Sequence, residues 1–300
     1  MHRSRDNVRW SGLDAHRPRP WRQTTKCIFC GIEGSQTSEG ALTKEHVYSN
    51  WTRRFVPRTL KKFKSLRAAA RTDHTQFVYI NRPGDIRDWQ VLCVCAVCNN
   101  GWMRQQIENP ARPIMIPLIR GEPVRLSPDQ QQIVATWAVA KAMVAEFAES
   151  ESVTTHHTQR KYLMRHFLPP KRGWAVWIAH YPPTGAPMLW VSTPFLLLPN
   201  HLAARRPDRR ATYYNGVAST QIIGQLLIHV IRSTHPRLAR MFRFRLPRGQ
   251  AIFRIWPPTL FSLNWPAGSI DDASATYISE PFGNSSGEAG RDDPDRTPPL

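Results

Sequence analysis

Two Cys-x-x-Cys pairs, Cys27-Ile28-Phe29-Cys30 and Cys95-Ala96-Val97-Cys98, constrain this chain more than any other feature. Each spacing lets one turn present two thiolates to one ion, and two such knuckles close a tetrahedral four-cysteine site with no position left for water. The expectation is a structural Zn²⁺ held by Cys27, Cys30, Cys95 and Cys98. A redox Cys-x-x-Cys is the competing reading, but the thioredoxin-like βαβ setting it needs is absent from the pattern. Cys93, the fifth cysteine, lies in an apolar strand-like segment and reads as a small buried hydrophobe. The two knuckles stand far apart in the chain, so something must fold between them.

Charge narrows the partner. The 300 residues carry 41 Lys and Arg against 22 Asp and Glu, a formal net charge of +19, more than solubility calls for. A polyanion fits this balance, and nucleic acid comes first because neutralising phosphates releases condensed counterions. An arginine-rich composition inherited from the genome is the plain alternative. No apolar run reaches the roughly 20 residues that span a bilayer, so no membrane partner is expected. The basic N-terminus has no apolar stretch behind it, which reads as no secretory signal and a cytoplasmic protein.

Between and after the knuckles stand Glu45-His46 and Cys98-Asn99-Asn100-Gly101-Trp102-Met103. The order of cysteine pair, acidic-His dipeptide, cysteine pair and asparagine resembles the HNH endonucleases. The stretch through Glu108 and Pro113 to Gly121 is similar to an uncharacterised bacterial and phage subgroup of that family. The resemblance covers about a third of the chain and implies a zinc-stapled ββα-metal module. Beside it stands the chemistry of phosphodiester hydrolysis. Histidine, with an ordinary pKa of about 6.5, is the side chain suited to take a proton from water near neutral pH, so His46 is the expected general base. A catalytic Mg²⁺ or Mn²⁺ keeps open positions and takes few protein ligands. The resemblance implies Glu45 and Asn99 as those ligands, with Asn100 as the alternative. The family's middle asparagine, which orients the histidine, has no counterpart before the second knuckle, where Gln90 and Asp88 are the substitutes at hand.

Arg53, Arg54, Arg58, Lys61, Lys62 and Lys64 follow the histidine in a basic run interleaved with aromatics, as a duplex backbone would require, although such a run is also an ordinary solvated face. The other histidines lack partner spacing and read as structural or exposed. Glu108 reads as bonding nearby loop groups rather than as a metal ligand.

The chain divides into a flexible basic arm (1–22), an HNH-like module with one short helix opening at Asn99 (23–122), a further domain (123–283) and a Gly-, Ser- and Pro-rich tail unable to bury a core (284–300). In the third part, Ser127-Pro128 starts a helix with apolar periodicity, from Ile133 to Phe147. A second helix is expected near 155–167. Strands are expected at 173–181, 188–192 and 251–256, and 221–231 leans to strand. The fold class is α+β, a zinc module followed by helices preceding a mostly antiparallel sheet. The expected function is metal-dependent DNA hydrolysis, RNA not excluded. The alternatives are a zinc-dependent nucleic-acid-binding protein that cuts poorly, and an interaction protein that binds a protein partner through residues 123–283.

Overall fold

The computed structural model describes residues 24–34, 40–55, 62–70, 75–83, 85–148, 153–182, 188–195, 216–235 and 242–279. The expected arm and tail lie outside these residues. The fold is a mixed arrangement of helices and largely antiparallel sheet, as the sequence pattern implied.

Strand β1 (Leu42–His46) pairs antiparallel with β4 (Gln90–Cys95). Chain order then runs through a 3-10 turn (Asn50–Phe55), β2 (Lys62–Ala70), β3 (Thr75–Pro83) and β4. After β4 comes one helical turn, α1 (Ala96–Cys98), then a π-helical stretch (Asn99–Glu108) with a non-helical Gly101, then α2 (Asn109–Arg120). The short helix expected at Asn99 is thus the start of a much longer helical run.

β5 (Val124–Leu126) leads into α3 (Pro128–Ala145). Ser127 caps α3 reciprocally: its hydroxyl accepts from the Gln130 amide at 3.2 Å, and the Gln130 side chain accepts from the Ser127 amide at 2.9 Å, which satisfies two N–H groups a helix start leaves open. α3 is buried nearly all round. α4 (His157–His166) follows within the expected span.

A seven-stranded sheet holds the second half: β6 (Trp174–His180), β7 (Met188–Phe195), β8 (Gly216–Ile223), β9 (Leu226–Ser233) and β10 (Phe253–Trp256), in the order β10-β6-β9-β8-β7-β2-β3. Its pairings are antiparallel except that of β2 with β7. The ambiguous run at 221–231 is a hairpin, β8 and β9, turning at Gly224-Gln225. Gly224 has φ +56°, and a Cβ there would meet the Ile119 carbonyl oxygen at 2.5 Å. That closeness lets the Gln225 amide donate to Ile119 O at 2.8 Å, tying the end of α2 to the sheet. β11 (Leu263–Trp265) pairs with β5, and α5 (Asp272–Ser279) closes the described chain.

The core does not break at residue 122. One apolar cluster runs from Cys27 and Phe29 through Met103 and Met115 to Trp137, Trp174 and Trp265, and β2 with β3 extends the sheet of the second half. The segments expected to be separate domains share one interior.

Candidate functional site

The two knuckles meet because β4 delivers the second pair beside the first: the Ile28 amide donates to Cys93 O at 3.0 Å. Gly31, at φ +79°, completes the first knuckle's turn, its amide donating to Cys27 O at 2.9 Å. The sulfurs of Cys27, Cys30, Cys95 and Cys98 all lie within 4.8 Å of one another, and those of Cys30 and Cys95 are 3.7 Å apart. Sulfurs placed at about 2.3 Å from a central Zn²⁺ stand about 3.8 Å apart in a tetrahedron, so the four cysteines can hold a metal ion such as zinc. As bare thiols they compete for protons. A hydrogen bond from Cys98 outweighs burial and brings the Cys27 thiol down to about 4, while Cys98 is pushed far up in return. Cys93 is fully buried and outside the cluster, the small hydrophobe expected.

His46 ends β1 opposite Gln90 of β4. Its Nε2 lies 2.7 Å from the Gln90 amide nitrogen, Nε2. Of the two residues expected to substitute for the missing asparagine, Gln90 makes this contact. Asp88 instead pairs with Arg53, an expected nucleic-acid contact. Both ions act electrostatically on His46. Arg53 is held in turn by Asn50 Oδ1 at 3.3 Å, and Arg87 Nη1 donates to the Arg53 carbonyl at 3.4 Å. Half-buried His46 has a pKa below its ordinary value, chiefly through burial. Glu45 opposes this and Lys141 and Arg53 reinforce it.

Glu45 is elsewhere. Side chains alternate across a strand, so Lys44 and His46 leave the face on which Thr43 and Glu45 lie. Glu45 is buried, its Oε1 accepting from Lys141 Nζ of α3 at 2.6 Å. Lys141 also meets Glu108 Oε1 at 2.6 Å and donates to the His46 carbonyl at 3.1 Å. Burial works against the Lys141 charge, but the two carboxylates overcome it and hold the pKa above the ordinary value. Glu108 accepts further from Ser49 Oγ at 2.8 Å and Trp51 Nε1 at 2.7 Å. It has the structural role expected.

Asn99 reaches Thr43 instead, Nδ2 donating to Oγ1 at 2.9 Å, and Asn100 is exposed. The two residues expected to hold a cation beside His46 are thus engaged by other side chains, Glu45 by Lys141 and Asn99 by Thr43. Among the described residues, the four cysteines are the one cluster of three or more His, Cys, Asp or Glu placed to hold a metal.

Of the expected basic contacts, Arg54 is exposed beside Phe55, over whose ring its guanidinium carbon sits at 4.8 Å. Lys62 and Lys64 lie on β2, while Arg58 and Lys61 fall outside the described residues. Lys141 was not anticipated, although its place four residues after Trp137 on an apolar helix was the available signal. Two of the other histidines have structural partners: His180 lies between Ser269 and Gln225, and His229 bonds Thr220 at 2.8 Å. No helix among the described residues is long and apolar enough to cross a membrane. No family model, curated protein or solved structure matches the chain.

Proposed function

We propose that this chain is a zinc-stapled nuclease of the HNH type that hydrolyses phosphodiester bonds in nucleic acid, DNA first, with His46 as general base. The observation that carries the reading is the His46–Gln90 contact on the strand pair that ends at the cysteine cluster. A base must be neutral to accept a proton, and a depressed pKa keeps His46 neutral at pH 7. Its orientation matters as much. The Gln90 amide nitrogen faces His46 Nε2 at 2.7 Å, so Gln90 holds the imidazole ring in one orientation on the hairpin. Zinc on the four cysteines holds the hairpin and takes no part in the chemistry. With Glu45 paired to Lys141 and Asn99 bonded to Thr43, no step is assigned to a cation held by them.

Supercoiled plasmid incubated with purified protein, with and without Mg²⁺ or Mn²⁺, tests the proposal. Wild type is expected to yield nicked or linear product, and His46→Ala to slow it by about 100-fold or more. If both leave the plasmid equally intact, and a parallel RNA substrate too, the enzymatic reading is overturned.

A second reading is supported by one observation, the pairing of Glu45 with Lys141. A protein that has lost its cation site binds nucleic acid without cutting it. That reading expects salt-sensitive binding that survives His46→Ala, with no cleavage by wild type.

A further inference from the structure

Beside β10, an edge strand of the seven-stranded sheet, lies a cavity of about 520 Å³, within the size range of sites that hold a small ligand. Trp177, Phe242, Phe244 and Phe261 are among its walls, with Arg243 and Arg254 and no acidic side chain. Trp177 and Phe244 meet edge to face at 5.5 Å between centroids, so the inner wall is set. Arg254 pairs with Trp177 across β10 and β6, placing its side chain on the same face of the sheet.

Two features distinguish this cavity from an incidental gap. The segment entering it alternates in burial from Phe242 to Leu246: Phe242, Phe244 and Leu246 are half-buried and Arg243 and Arg245 between them are exposed, as is Arg248 beyond Pro247. Exposed arginines are therefore interleaved with the aromatic residues, and Arg243 itself lines the cavity. At the rim, Phe261 is 78% exposed, yet its backbone is pinned, the carbonyl accepting from Gln131 Nε2 at 2.9 Å and Thr259 Oγ1 at 3.1 Å. An exposed ring on a fixed backbone is a platform with one face open.

We propose that this cavity is a second nucleic-acid site, which takes unpaired bases of a single strand while the Arg243, Arg245 and Arg248 row carries the phosphates. Base faces stack on aromatic rings whatever the base, and phosphates follow a basic groove. In a duplex those faces are covered by neighbouring pairs, so the aromatic wall selects the single strand. The proposal shares with the preceding section the assignment of nucleic acid as partner, but it does not depend on cleavage.

The test is fluorescence anisotropy of the full chain with a labelled oligothymidylate of about 20 nucleotides, and with a duplex of equal length, over a salt series. Phe261→Ala is expected to weaken single-strand binding about tenfold and leave duplex binding unchanged. The double variant Arg243→Ala/Arg245→Ala is expected to reduce the salt slope by about 1.4, the contribution of two single-strand phosphates. Both positions are exposed, and a melting curve equal to that of wild type is the control that the double variant keeps the fold. Unchanged single-strand affinity in Phe261→Ala, or an equal loss on the duplex, overturns the stacking site. An unchanged salt slope in the double variant overturns the arginine row. His46→Ala is expected to bind the single strand as wild type does, so failure of the nuclease reading is distinguishable from failure of this one.

Discussion

Lys141 shows how much one buried charge can decide. It bridges Glu45 and Glu108 and bonds the His46 carbonyl. Removing one partner from a buried ion cluster costs about 3–5 kcal/mol, because the remaining charge is left uncompensated. Lys141→Met is therefore expected to lower the free energy of unfolding measured in urea by that amount, and Lys141→Met/Glu45→Gln to recover part of it. If Lys141→Met unfolds at the wild-type midpoint, the cluster does not hold the site. Sequence distance explains why this network was not read in advance: Lys141 and Glu45 stand 96 residues apart. The family resemblance makes Glu45 a ligand as the acidic residue beside His46, but neighbours along a strand send their side chains to opposite faces. Gln90 was legible as a substitute partner because its place shortly before the second knuckle put it near the hairpin. Only the register of β1 with β4 singled it out over Asp88.

At the scale of elements, local signals succeeded where one residue type carried a geometric demand. Ser127 and Pro128 marked the start of α3, and the apolar, branched runs marked β6, β7 and β10. α2 was missed for a physical reason. Pro113 and Pro117 lie inside it, and each removes a helical hydrogen bond, yet burial of Ala111, Met115, Leu118 and Ile119 holds the segment helical. Tertiary packing outweighed propensity. The knuckles were legible because four thiolates at these spacings admit few uses. Metal analysis of purified protein is expected to find about one zinc per chain. Chelation, or Cys30→Ser, is expected to release it and to lower the melting temperature, because metal-binding free energy here is folding free energy. Full zinc retention by Cys30→Ser would contradict the four-cysteine site.

For the whole molecule, the shared core means that residues 23–122 are expected to be unfolded when expressed alone, as they lose Lys141, Trp137 and the β7 partner of β2. A cooperative melt of that fragment would contradict a single interior. Acid also acts globally. Burial lowers the His229 pKa to about 3, below the ordinary value of about 6.5. The unfolded chain thus takes up a proton that the folded chain refuses. The contribution of neutral His229 is fully present above about pH 6.5 and is lost as pH falls toward 3, at about 1.4 kcal/mol per unit. Comparing unfolding midpoints of wild type and His229→Leu at pH 7.5 and pH 4.5 isolates this slope, which the variant is expected to lack. The central claim is that His46, poised by Gln90, takes the proton in phosphodiester cleavage. Its most direct measurement is the cleavage rate of wild type, His46→Ala and Gln90→Ala between about pH 5 and 8. The wild-type rate is expected to rise to a plateau with its half-point below 6.5, with Gln90→Ala slower and His46→Ala nearly inactive. No cleavage by wild type at any pH, or equal rates with and without His46, would contradict it.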